Sequence, residues 1–139
     1  MYTFQIKTYR EGTTLPEFHF FILSKGENAG KPLEAPCPNC FVVKVDSTQS
    51  RDHFFWLAYA LWQGSKFKPY LIGSVILFLR IGEVKKLLQL ASNVVLARPK
   101  ELEITIKLMN QISQQRANIQ QHCLELERTQ RALLKKLFR

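Results

Sequence analysis

The chain opens with a regular alternation: Tyr2, Phe4 and Ile6 interleave with Thr3, Gln5 and Lys7, the period of a strand buried on one face. "FHFFIL" at Phe18 to Leu23 reads as a second strand and "FVVKV" at Phe41 to Val45 as a third, short and β-branched. Between them Ser24 to Pro38 is rich in Gly, Pro, Asn and Ser and predicts loop. The period then changes. After Ser50 or Asp52, either of which suits an N-cap, Phe55, Tyr59 and Trp62 recur at helical spacing up to Gly64, a natural place for a helix to end. "YLIGSVILFLRI" predicts a strand or strand pair broken at Gly73-Ser74, "GEVKKLL" a short turn of helix and "NVVLA" a last strand.

From Pro99 onwards Gly and Pro vanish, and Gln, Glu, Lys, Arg and Leu predict one long helix. Steps of four and three run through Ile112, Arg116, Ile119, Cys123, Leu126, Gln130, Leu133 and Leu137. This is a heptad seam with Ile112, Ile119, Leu126 and Leu133 at d, and Arg116, Cys123, Gln130 and Leu137 at a. It spans about 39 Å at 1.5 Å per residue, more than a small domain covers with its own surface. The chain shows no other long helical pattern, so the seam is expected to be buried against a helix of a second chain. The fold class is therefore α+β: a small mixed α/β head with an aromatic helix, residues 1–97, followed by a coiled-coil-type helix, residues 98–139.

Composition narrows the function. With 139 residues, 46% of them hydrophobic, and 10 Phe, the chain is globular rather than disordered. Its 20 Lys and Arg against 11 Asp and Glu give a net charge of +9, a field that draws polyanions. Tyr70 to Leu79, the longest apolar run, is about half of what a membrane-spanning helix needs, and the first residues lack the pattern of a secretory signal. A cytoplasmic, reducing setting is the default expectation, with no membrane partner.

The chemistry-bearing residues are sparse. In "PCPNC" the pair Cys37 and Cys40 has C-x-x-C spacing, but a redox pair opens a helix whereas Cys40 leads into a strand. A structural zinc site needs four ligands; beyond this pair the chain offers only His19, His53, His122 and Cys123, without a second paired motif. The expectation is a proline-braced loop, with no metal and no cofactor. "SKGENAGK" at Ser24 to Lys31 lacks the spacing of a phosphate-binding loop and is followed by Pro32, not by a helix. Three scattered His residues make no nucleophile, base and orienter, so neither catalysis nor a small-molecule substrate is expected. Phe54, Phe55, Trp56, Tyr59 and Trp62 are candidates for stacking on bases, against the commoner reading of such a pattern as core.

The order of these segments resembles a known family. "HFFWLAYALWQGSKFKPYL", "GSVILFLRIGEVKKLL", "NVVLARPKELEITI" and the terminal "RALLKKLF" are similar to the C-terminal part of a target-recognition half in type I restriction-modification specificity subunits. The likeness is carried by Gly73-Ser74, Ile81, Val84, Pro99, Glu101, Ile106 and Leu134 to Leu137, over roughly residues 40 to 139. Glu103 stands where that family's junction has Gln, and Val75, Ile76 and Leu77 replace the polar residues that follow its turn. The resemblance implies a strand leading into the Pro99 junction, a head that contacts double-stranded DNA, and a helix that pairs with its own copy or with a partner subunit. Candidate DNA contacts are Lys25, Lys31, Arg51, Lys66, Lys68 and Arg80; the pairing helix would use Ile112, Ile119, Cys123, Leu126, Leu133 and Leu137. The competing expectation is an interaction module of a mobile element or restriction system that docks through the helix without binding DNA.

Overall fold

In a computed structural model of the chain, which describes residues 2–139, four strands and three helices form an α+β arrangement. The contacts divide the chain into a compact unit ending at Leu102 and a second unit, Glu103–Arg139.

β1 (Phe4–Thr8), β2 (His19–Leu23), β3 (Pro32–Leu33) and β4 (Cys40–Val45) form one antiparallel sheet in the order β1-β4-β2-β3. The alternation of β1 does what its period requires: Phe4 and Ile6 turn to the core while Gln5 and Lys7 stay exposed. The register aligns Phe4 with Val45 and Ile6 with Val43, so the apolar sides of β1 and β4 coincide. β3 lies within the segment expected to be loop. It is only two residues long and occupies the sheet edge, where the missing N–H of Pro32 costs no ladder bond.

Two helices cover the apolar face of the sheet. α1 (Thr48–Gln63) is capped by Ser47, three residues before the earlier of the two expected caps, and the Ser47 hydroxyl accepts the backbone N–H of Ser50 at 3.1 Å. It ends at Gly64 as its sequence predicts. Phe54, Leu57 and Ala58 drive into the core beside Phe20, Ile22, Val43 and Val45, so this part of the aromatic helix is core. α2 (Ile81–Leu96) corrects the expectation of a helical turn followed by a strand: "GEVKKLL" and "NVVLA" are one continuous helix. Val84, Leu88 and Ser92 are fully buried and Ala91 and Val95 half-buried, a spacing that only a helix can bring to one side. Two adjacent valines look like a strand locally, but the period over sixteen residues decides the element. The segment before Pro99 is thus a helix, not the strand that the resemblance implies.

The stretch expected as a strand pair around Gly73-Ser74 is a tight excursion instead. A 3₁₀ turn at Lys68–Tyr70 precedes a single reciprocal bridge, with Ile72 N–H donating to Phe78 O at 3.0 Å and Phe78 N–H to Ile72 O at 2.9 Å. Gly73 takes φ +113° there, and a Cβ on it would collide with the Ile76 carbonyl. The chain reverses before a second ladder pair can form, which leaves Val75 and Ile76 at the tip, 93% and 62% exposed.

α3 (Pro99–Leu137) is the long helix that the change of composition at Pro99 predicts, and it crosses the boundary between the two units. None of its residues is buried. Ile106 and Met109 are half-buried, but every seam residue from Ile112 to Leu137 is exposed. The expectation that the seam has no helical rival in the chain is corrected by α2, a second helix of sixteen residues. The seam residues stay uncovered all the same.

Candidate nucleic-acid interface

Five of the six cations singled out by sequence come from three short stretches, the Ser24–Lys31 loop, the residues around Phe67 and the strip that ends at Arg80, each of the last two touching the loop. The Ser24–Lys31 loop meets the 77–79 strip through Gly26 N–H donating to Leu77 O at 2.7 Å and Leu79 N–H donating to Ser24 O at 2.9 Å. This places Lys25 and Arg80 one residue beyond a shared contact. At the other end of the same loop, Gly30 adopts φ +101° with its α-carbon against the Phe67 ring, so close that any side chain on it would enter the ring. Lys66 and Lys68 flank that phenylalanine in sequence, and Phe67 is itself 1% exposed and fixed. Lys31 lies over Trp62, its Nζ 5.3 Å from the ring centroid. Lys25, Lys66, Lys68 and Arg80 are exposed and Lys31 half-buried, and none of the five makes an ion pair among the described residues.

The sixth, Arg51, belongs elsewhere. It sits about 16 Å along α1 from Trp62 at 1.5 Å per residue. Its Nε donates to the His19 carbonyl at 2.9 Å, its guanidinium approaches Glu34 and Asp52 at 3.8 Å each, and it stacks 5.5 Å from the Phe55 centroid. That is the environment of a guanidinium that ties α1 to β2, its Nε bonded and its charge beside two carboxylates.

Between these two cations runs a ladder of rings along α1. Phe55, Trp56, Tyr59 and Trp62 follow one another edge to face at 5.1, 5.4 and 5.7 Å between centroids, all half-buried. Their faces are partly given to each other and to the core, so the ladder is a support for Lys31 and Arg51 rather than an open stacking platform.

A second basic surface escaped the sequence reading. On the sheet face opposite the helices, Lys7 on β1 and Lys44 on β4 are exposed diagonal neighbours, since Lys7 aligns with Val42 and Gln5 with Lys44. With Arg10, Tyr9, Leu15 and Val42 they line a groove of about 360 Å³. The signal was present in the alternation that assigned Lys7 to the polar side of β1. What the sequence lacked was the pairing of β1 with β4, strands about thirty-five residues apart along the chain. Overall, thirteen Lys and Arg face eight Asp and Glu up to Leu102, and seven face three beyond it, so the positive balance belongs to both units.

The thiols have a local explanation. Cys40 is buried at the start of β4 and its Sγ–H donates to the Cys37 carbonyl at 3.1 Å, closing the proline-flanked turn. Burial is the main cause that pushes the Cys40 thiol up from its ordinary range, the opposite of what an activated redox thiol requires. Among the described residues no three His, Cys, Asp or Glu side chains come together to hold a metal ion. Among the described residues His53 is the one buried titratable ring: its Nε2 lies 2.9 Å from Ser92 Oγ, its Nδ1 has no hydrogen-bond partner there, and burial lowers its pKa.

A family model described as a family of unknown function, DUF6943, matches residues 6–136. The chain belongs to the DUF6943 family. The match spans the sheet, α1, α2 and nearly all of α3, so the compact unit and the long helix are parts of one DUF6943 architecture. Comparison of this DUF6943 chain with curated proteins and with solved structures gives no match. No described helix is long and apolar enough to cross a membrane.

Proposed function

We propose that this DUF6943 protein is a non-catalytic DNA-binding module in which the compact unit contacts duplex DNA and the long helix pairs with a second chain. The observation that carries the reading is that five cations lack acidic partners among the described residues and stand on segments that touch: Lys25 and Arg80 where backbone bonds join the Ser24–Lys31 loop to the 77–79 strip, Lys66 and Lys68 beside Phe67 against Gly30 of that loop, and Lys31 over Trp62. Unpaired cations held by backbone contacts suit the sequence-independent, phosphate-directed share of DNA affinity. The exposed tip of Val75 and Ile76, between Lys68 and Arg80 in sequence, offers an apolar contact for sugars or base edges. The likeness to restriction-modification specificity subunits points the same way through Gly73-Ser74 and the Pro99 junction, but the helix α2 before that junction departs from it, and the proposal rests on the cations.

The second reading, docking through the helix without DNA, draws on the uncovered seam of α3. Titration of a fluorescent random-sequence duplex at low and moderate salt separates the two. Affinity that falls steeply with salt supports the DNA-binding reading; no binding at low salt rejects it and leaves the helix-docking reading.

A further inference from the structure

We infer that the partner of α3 is a second copy of this chain, lying antiparallel over the whole exposed seam. This deepens the proposed function and rests on its claim that the helix pairs with another chain.

The argument starts from where the polar residues fall. In the seam all the d positions are apolar: Ile112, Ile119, Leu126 and Leu133. Arg116, Cys123 and Gln130 are all at a, and Leu137 alone makes an apolar a position. A parallel pair in register stacks each position on its own copy, so the Arg116 guanidiniums meet each other and Gln130 meets Gln130. A reversed pair runs the two seams in opposite directions and so sets a against d of the copy, and its two-fold axis makes each such contact occur twice.

Exposure selects the register. Ile106 and Met109 are half-buried, whereas every position from Ile112 to Leu137 is exposed, so the free seam begins at Ile112. Reversing that interval onto itself pairs Ile112 with Leu137, Arg116 with Leu133, Ile119 with Gln130 and Cys123 with Leu126 of the copy. Every layer then contains at least one aliphatic side chain, no layer holds two like charges, and the aliphatic stem of Arg116 lies along Leu133 with its head free to reach water. The flanking positions raise no objection: Lys136 comes near Gln115, Glu127 near Gln120, and His122 near Thr129. The seam is self-complementary when reversed and self-repelling at Arg116 when parallel.

The test is a cysteine pair at the two ends, Ile112→Cys with Leu137→Cys, oxidised in the full chain, with light scattering before oxidation and peptide mass spectrometry after it. The expected result is a dimer of twice the 16.2 kDa chain mass whose new disulfide joins position 112 of one copy to 137 of the other. Such a link cannot form within one chain, since about 25 helical residues separate the two positions by roughly 38 Å. A dimer linked from 112 to 112 overturns the antiparallel arrangement while leaving helix pairing intact. A monomer, observed for the unmodified chain as well, overturns the pairing itself. Neither outcome bears on DNA affinity, which the salt titration reads separately.

Discussion

If the gathered cations are the DNA contacts, they predict how much of the salt dependence each carries. One phosphate neutralised by each of Lys25, Lys31, Lys66, Lys68 and Arg80 gives a slope of about −4.5 in log affinity against log salt, or about a 500-fold loss between roughly 50 and 200 mM. Replacing Lys66 and Lys68 with Gln removes two of the five, so the slope becomes about −2.7 and the loss about 40-fold. Both side chains are exposed and make no ion pair among the described residues, so the variant keeps its fold and the change reads charge alone. The assay is fluorescence anisotropy of a labelled duplex over a salt series.

Two controls come from the same structure. Arg51→Gln should leave the slope unchanged while lowering stability, since Arg51 is bonded to the His19 carbonyl and sits beside Glu34 and Asp52. Lys7→Gln with Lys44→Gln, on the opposite sheet face, should also leave it unchanged. A slope that drops for Lys7 and Lys44 but not for Lys66 and Lys68 would refute the choice of surface. One that drops for none of them refutes phosphate contact by the compact unit.

Three further expectations concern the fold that holds these groups. Phe54→Ala empties a fully buried ring site between the sheet and α1 and should cost about 3–5 kcal/mol in chemical denaturation; a loss below about 1 would mean that the ring is not packed as described. Gly30→Ala forces a left-handed residue and drives a methyl into Phe67, so a loss of about 1–3 kcal/mol is expected together with weaker DNA binding, and an unchanged denaturation midpoint would contradict the contact. His53 is held neutral by burial, its pKa below the ordinary 6.5, so the unfolded chain takes up the proton first. Stability should therefore fall as pH drops below about 6.5, by at most about 1.4 kcal/mol per unit from this ring. Denaturation of wild type and His53→Phe at several pH values reads the difference; parallel profiles would show that His53 is not the group responsible.

What the sequence made legible followed from how far each signal reaches. β1 and β4 declare their inner faces through alternation over five or six residues, and the 39 residues of α3 carry a seam long enough to read directly. α2 was split because "NVVLA" in isolation favours a strand, while the burial of Val84, Leu88 and Ser92 depends on a sheet surface that local preference cannot see. The run from Tyr70 to Ile81 differs in the opposite sense: it has the residues of a strand, but Gly73 turns it back on itself, and its pairing is limited to isolated bridges of Phe78 with Ile72 and with Lys25.

The candidate cations divide along the same line. Lys66 and Lys68 were legible as charges beside an aromatic segment, but only the bonds from Ser24 and Gly26 to the 77–79 strip bring Lys25 and Arg80 into one region. Arg51, equally basic in sequence, is withdrawn from that region by a carbonyl and two carboxylates that sequence distance concealed. A charge becomes a contact candidate when the fold leaves it unpaired and anchors the backbone beneath it. By that criterion Lys25, Lys66, Lys68 and Arg80 are the stronger four, and Lys31, already drawn over Trp62, should lose less affinity per charge removed than any of them. A Lys31→Gln variant that weakens DNA binding more than Lys66→Gln would reverse that order, and would mean that the Trp62 contact positions the lysine for DNA instead of competing with it.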